Sequence, residues 1–143
     1  MKRAVSVMLL MLTAAIAALA APSAQTSATP VFPKVLMNAK YVYVTSYDGD
    51  QFDFNILPED RQAIASVQDA IQKWGHYTLV YRPEDADMII AVQKRGSEDV
   101  LAVYDARGPR DTYLWRVMGH GGLDKDEVPL FAKLQSAVEK AGK

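Results

Sequence analysis

Five short runs of apolar and β-branched residues, separated by polar turns, predict five β-strands. In the first run, residues 40–47, tyrosines and a threonine alternate with valines, so the two sides of this strand differ. The other four runs are residues 77–81, 88–93, 100–105 and 112–118. The segments that separate these four runs are short and charged, which is typical of hairpins. The pattern therefore predicts a sheet that is mostly antiparallel.

Two segments carry apolar residues three and four positions apart, the spacing of an amphipathic helix. The first begins at Pro58, has Glu59 and Asp60 beside its positive end, and stops at Gly75. The second occupies residues 126–143 and has lysines near its end. The element order β-α-β-β-β-β-α then predicts an α+β fold, a two-layer sandwich with both helices on one face of the sheet.

The face of the sheet opposite the helices also carries apolar residues. Residues 88–92, for example, have no polar side. Either the loop 48–57 folds over this face and makes it core, or the face binds something, because an exposed apolar patch of that size is unusual. The loop has four large apolar side chains, Phe52, Phe54, Ile56 and Leu57.

The start of the chain has the features of a secretory signal peptide. Lys2 and Arg3 precede an apolar run over residues 5–20, and small residues at 18–20 form a cleavage site. A membrane-spanning helix is the alternative, but it needs about 20 apolar residues, more than this run provides. We therefore predict a signal peptide over residues 1–20 and a periplasmic or secreted protein.

The polar, proline-containing segment after the signal predicts a flexible leader over residues 21–34, followed by one α+β domain over residues 35–143. The chain has no cysteine, which excludes disulfides, a thiol nucleophile and a lipid-bearing N-terminal cysteine. We therefore expect no stable membrane anchor after signal cleavage. Loss of residues 1–20 would leave 14 basic residues from the 16 in the chain, against 17 acidic ones, so nucleic acid is not an expected partner.

The sequence VMGHGG, residues 117–122, places His120 among three glycines. It resembles part of the oxyanion-hole motif of lipases, but that chemistry needs a serine on a Gly-x-Ser-x-Gly turn, and the sequence has none. The segment is more simply the exit from the last strand. The alternative function is a hydrolase in which His120 works with a carboxylate from residues 48–53 or 124–127. His120 is thus a weak catalytic candidate.

Asp48, Asp50 and Asp53 are weak candidates for calcium ligands because carboxylate oxygens suit that ion. Their spacing does not match an EF-hand loop, so a solvated turn is the simpler interpretation. No phosphate-binding, dinucleotide-binding, kinase or zinc motif occurs in the sequence. We therefore predict neither a metal nor a cofactor.

The aromatic and basic hairpin near residues 104–116 is the predicted binding region. It offers arginines that can receive an anionic group, unless Asp105 and Asp111 neutralise them within the hairpin. The predicted binding residues are Tyr104, Arg107, Arg110, Trp115 and Arg116.

Two segments, ADMIIAVQ at 86–93 and LAVYDARGPRDTYLWRV at 101–117, resemble small exported bacterial envelope proteins of uncharacterised function. These are similar in pattern to the α/β-sandwich domain of curli-assembly lipoproteins. The matching positions are Ala86, Asp87, Ile89, Val92, Asp105, Leu114, Trp115 and Arg116. The resemblance implies a non-enzymatic envelope module that binds an envelope protein or associates with itself, although this chain lacks the lipid-accepting cysteine.

Overall fold

The computed structural model describes residues 30–124 and 127–143. Its elements follow the predicted order β-α-β-β-β-β-α, and their ends lie within three residues of the predicted bounds. The strands are β1 (Tyr41–Ser46), β2 (Thr78–Val80), β3 (Met88–Gln93), β4 (Asp99–Asp105) and β5 (Trp115–Gly119). The helices are α1 (Pro58–Trp74) and α2 (Pro129–Ala141). The predicted α+β sandwich is confirmed.

The five strands form one mixed sheet in the order β2-β1-β3-β4-β5. β1 is parallel to both β2 and β3, whereas β3, β4 and β5 form two antiparallel pairs. The prediction of a mostly antiparallel sheet is therefore corrected, since two of the four pairings are parallel. The segment 81–87 is not a hairpin. It leads from β2 past β1 to β3. A hairpin cannot join β2 to β3 because both strands are parallel to β1.

The main core lies between the sheet and the two helices. Val42, Ile90 and Leu101, from the three central strands, face it and are buried. Both helices direct their apolar sides to the same face of the sheet, as predicted. Their buried core residues are Ala63, Ile64, Val67 and Ile71 from α1, and Leu130, Phe131, Leu134, Ala137 and Val138 from α2. Within the described residues, no helix has both the length and the apolar character that crossing a bilayer requires.

The folded part of the chain includes residues that we assigned to the leader. Phe32 is buried, and its ring lies edge-on to Trp115 with 6.3 Å between the ring centroids. The Trp115 Nε1–H donates a hydrogen bond of 2.8 Å to the carbonyl of Pro30. Residues 30–34 therefore pack as part of the domain. The predicted signal peptide and the remainder of the leader, residues 1–29, lie outside the described residues.

Candidate functional site

The sheet face opposite the helices has a floor of small side chains between larger ones. The strand register places two rows across this face, Tyr43, Ile89 and Tyr104 in the first, and Thr45, Ala91, Ala102 and Arg116 in the second. Alternate strand residues point to opposite sides, so both rows face away from the helices. Ala91 and Ala102 leave space beside the tyrosines.

That space is a cavity of about 440 Å³, which we call the tyrosine hollow. Its lining includes Tyr43, Tyr47, Asp50, Ala91, Tyr104 and Arg110. The volume lies within the range of about 300–1,000 Å³ that is typical of small-molecule sites. Six of its ten lining residues lie in β1, β3 and β4, so the shape is set mainly by the sheet.

The loop between β1 and α1 does not close this face with its apolar side chains. Phe52 and Phe54 are 65% and 99% exposed, and Leu57 is also exposed. Ile56 is buried in the core on the helix side of the sheet. The loop contributes Asp50 to the hollow. Tyr43, Ala91 and Tyr104 are nevertheless buried in a second, smaller cluster on this face. The face is therefore partly core without the apolar side chains of the loop, and the tyrosine hollow is the part of it that stays accessible for binding.

Two of the tyrosines in the hollow are joined by their hydroxyl groups. The Tyr104 hydroxyl donates to the Tyr47 hydroxyl at 3.0 Å, and the rings meet edge-on. Burial raises the pKa of Tyr47, and the hydrogen bond with Tyr104 raises it further. Burial also raises the pKa of Tyr43, and the nearby Asp50 carboxylate adds to that shift. Both phenols are therefore neutral at physiological pH and offer hydrogen bonds rather than a base or a nucleophile.

Arg110 and Arg116 bring positive charge to this region. Within the described residues, each ion pair uses another basic side chain, so neither guanidinium has a carboxylate partner there. The Arg116 guanidinium lies 5.6 Å from the centre of the Tyr113 ring, a cation–π contact. Its Nε is buried and has no hydrogen-bond partner among the described residues. An unsatisfied buried donor is costly unless something fills the position.

The two hairpin acids do not neutralise these arginines. Asp105 accepts a hydrogen bond from the backbone N–H of Arg107 at 2.9 Å, and Asp111 lies 3.4 Å from the hydroxyl of Thr112. The self-compensating hairpin, the alternative interpretation of the sequence, is therefore not what the structure shows.

The five predicted binding residues do not all lie at one site. Tyr104 and Arg110 line the hollow. Arg116 lies on the same face of the sheet, where it pairs with Ala102 across β4 and β5. Arg107 is 84% exposed and reaches Asp87 at 3.5 Å, away from the hollow. Trp115 is buried in the core, so its assignment as a surface binding residue was wrong.

Among the aromatic and charged residues of the hollow, Tyr43 and Tyr47 were not predicted to belong to a site, and Asp50 was predicted only as a weak calcium candidate. The alternation of tyrosine and valine in β1 predicted that Tyr43 faces the side of the strand opposite to the valines. Only the pairing of β1 with β3, and of β3 with β4, brings that tyrosine into one row with Tyr104.

The predicted calcium candidates each have a local structural contact. Asp48 forms an ion pair of 2.7 Å with Arg95, and the hydrogen bond from Arg95 lowers the pKa of Asp48. Asp50 and Asp53 each accept a hydrogen bond from a backbone N–H two residues later, at 2.7 and 2.9 Å. Such bonds are typical of turns. No group of three acidic or histidine side chains in the described part of the chain is arranged to hold a metal ion.

A buried polar cluster fastens the turn between β3 and β4 to two other parts of the fold. Asp60 in α1 accepts a hydrogen bond of 2.7 Å from the backbone N–H of Lys94. Asp99 accepts from the backbone N–H groups of Arg95 at 3.2 Å and Leu123 at 3.0 Å, and from Lys94 Nζ at 3.3 Å. Both carboxylates are buried and paired, so we assign this cluster to stability.

His120 is held by a backbone contact. Its Nδ1 lies 3.1 Å from the carbonyl oxygen of Ser97, and the ring is exposed. Two of the glycines around it have a structural reason. Gly121 has a φ of 61°, and a Cβ at Gly122 would overlap the side chain of Leu130. The exit from β5 thus accounts for this motif.

The other histidine, His76, stacks on Trp74 just before β2, with 4.7 Å between the rings. β2 and β5 are the two edges of the sheet, about 19 Å apart at the usual strand spacing. The two histidines therefore do not share a site. The described ion pairs all use lysine or arginine, so the hydrolase alternative gains no histidine–carboxylate pair from them.

Comparisons of the chain with protein-family models, with curated proteins and with solved structures gave no significant match. The resemblance to exported envelope proteins stays a prediction from the sequence. A functional proposal has to rest on the geometry of the hollow.

Proposed function

We propose that this protein is an exported, non-enzymatic module of the bacterial envelope that binds another component in the tyrosine hollow. The observation that carries the proposal is the cavity of about 440 Å³, with aromatic walls, on the sheet face opposite the helices. Apolar and aromatic walls with a few polar groups are the usual composition of a binding site. Export rests on the signal-like start of the sequence.

The groups in the hollow suit binding better than catalysis. Its described lining contains no histidine, and the raised pKa values of Tyr43 and Tyr47 keep these two phenols protonated at neutral pH. Arginine likewise donates hydrogen bonds but does not accept a proton. Together these groups can orient a ligand, whereas general acid–base catalysis needs a group that changes protonation near the working pH.

Site-specific photo-crosslinking in cells that naturally make the protein tests this proposal. A benzophenone amino acid replaces Tyr47, which lines the hollow, or Lys133, which is exposed on α2. We expect a defined crosslinked species from position 47 and not from position 133. The same species should disappear when Arg110→Gln is added, and persist with Arg107→Gln, an arginine of the same hairpin outside the hollow. No crosslink at position 47, or identical products from both positions, would contradict the proposal.

A further inference from the structure

The tyrosine hollow has an acidic side and a basic side. On the β1 side, the Asp50 carboxylate acts on Tyr43, and Glu84 adds a weaker negative influence. On the other side, Arg110 and Arg116 come from the loop after β4 and from β5. Arg110 lines the hollow, and the charge of Arg116 acts on Tyr47. The acidic and the basic groups at the cavity thus come from different segments of the chain.

Neither side is neutralised by the protein. Asp50 accepts hydrogen bonds from the backbone of Phe52 at 2.7 Å and from the Tyr43 hydroxyl, both neutral donors, and it belongs to no ion pair among the described residues. The two arginines also lack a carboxylate partner there, and the Nε of Arg116 is buried without any hydrogen-bond partner. Unpaired charges of both signs at one cavity point to a ligand that carries both signs.

The span between the two sides limits the size of that ligand. The backbones of Tyr43 on β1, beside Asp50, and of Tyr104 on β4, which lines the hollow with Arg110, are separated by two strand spacings, about 10 Å. An extended chain of three residues is also about 10 Å long. Between the charged sides, Ala91 and Ile89 present apolar surface, while the tyrosine hydroxyls can hydrogen-bond to peptide groups.

We infer that the hollow binds a short zwitterionic peptide of two or three residues. Its ammonium group lies toward Asp50, and its carboxylate lies toward Arg110 and Arg116. The inference rests on the proposed function, because it names the chemistry of the component that the same hollow binds. Charge-assisted hydrogen bonds at both ends supply the selectivity for free termini.

Calorimetric titration of the purified protein with three forms of Ala-Phe-Ala tests this inference. The probes are the peptide with free termini, the N-acetylated peptide and the C-amidated peptide. We expect the free peptide to bind, and each blocked form to bind about tenfold more weakly or worse, since each has lost one charge-assisted contact. Equal affinities for the three forms would overturn the inference.

Single substitutions then assign each end of the peptide. Asp50→Asn should weaken binding of the free peptide about tenfold and leave the N-acetylated peptide unaffected. Arg110→Gln should do the same for the free peptide and leave the C-amidated peptide unaffected. Arg107→Gln and Asp111→Asn are the matched controls outside the hollow, and they should change nothing. A variant that unfolds would lose affinity for all three peptides equally, and circular dichroism identifies it. An equal loss of affinity for all three peptides in a folded variant would also overturn the inference.

The failures of the two proposals are distinguishable. If no peptide binds at millimolar concentration but crosslinking from position 47 persists, the peptide inference is wrong and the binding function stands. If neither peptides nor crosslinks are observed at the hollow, both are wrong.

Discussion

Replacement of Asp99 by alanine removes the acceptor at the centre of the buried polar cluster. In the folded protein this carboxylate is 1% exposed and accepts hydrogen bonds from the N–H groups of Arg95 and Leu123. The substitution leaves the buried Leu123 N–H without a partner, which costs about 1–3 kcal/mol, and weakens the partly buried Arg95 turn by about 1 kcal/mol. Lys94 keeps Asp124 as a partner, so the loss of its longer contact adds little.

Urea unfolding followed by circular dichroism measures this loss, and we expect Asp99→Ala to lower the free energy of unfolding by about 3 kcal/mol. Asp99→Asn keeps one carbonyl acceptor and should lose less. The matched control is Asp124→Ala, whose side chain is 63% exposed, with an expected loss below about 1 kcal/mol. If Asp99→Ala were as mild as this control, the cluster would not be a structural lock and our assignment would be refuted.

Three further predictions concern other parts of the domain. A chain that begins at residue 35 lacks the buried ring of Phe32 and should lose about 3 kcal/mol or more of stability in thermal unfolding, relative to one that begins at residue 30. Burial raises the pKa of Tyr77 to about 12, whereas the phenol of the unfolded chain titrates near pH 10. The free energy of unfolding should therefore not depend on Tyr77 ionisation below about pH 10, and should fall between about pH 10 and 12. Tyr77→Phe removes a buried hydroxyl without a partner, so the variant should be at least as stable as the parent at pH 7 and lose less stability above pH 10. Gly122→Ala forces a Cβ into the side chain of Leu130 and should cost about 1–3 kcal/mol in urea unfolding.

Each of these has a clear contrary result. Equal melting temperatures for the two chain starts would mean that Phe32 does not support the core. A Tyr77→Phe protein that is less stable at pH 7 would mean that the hydroxyl has a partner in solution. A Gly122→Ala protein with parental stability would mean that the glycine is not required for close packing.

The order of elements could be predicted because each depends on local periodicity. Ile64, Val67 and Ile71 recur at helical spacing, and all three are buried as that spacing requires. Strand pairing could not be predicted in the same way. β2 has only three residues, and nothing in their pattern indicates that they pair with β1 in parallel rather than with β3 as a hairpin.

The candidate site was only partly visible in the sequence for the same reason. Tyr104 and Arg110 were found because the hairpin that carries them is aromatic and basic. Trp115 shares that composition, yet it points into the core, because alternate residues of a strand face opposite sides and Arg116 takes the other side of β5. Phe32 and Trp115 are in contact but lie far apart in the sequence, so no local pattern predicts their packing.

We propose that ligands bind in the tyrosine hollow, on the sheet face opposite the helices, rather than on the helical layer. The most direct test is a two-dimensional NMR titration of the isotope-labelled protein with free Ala-Phe-Ala. We expect concentration-dependent chemical-shift changes for the amides of Ala91, Ala102 and Tyr104, and no change for the amides of α2. Shifts confined to the helical layer, or no shifts on the open face at saturating peptide, would contradict it.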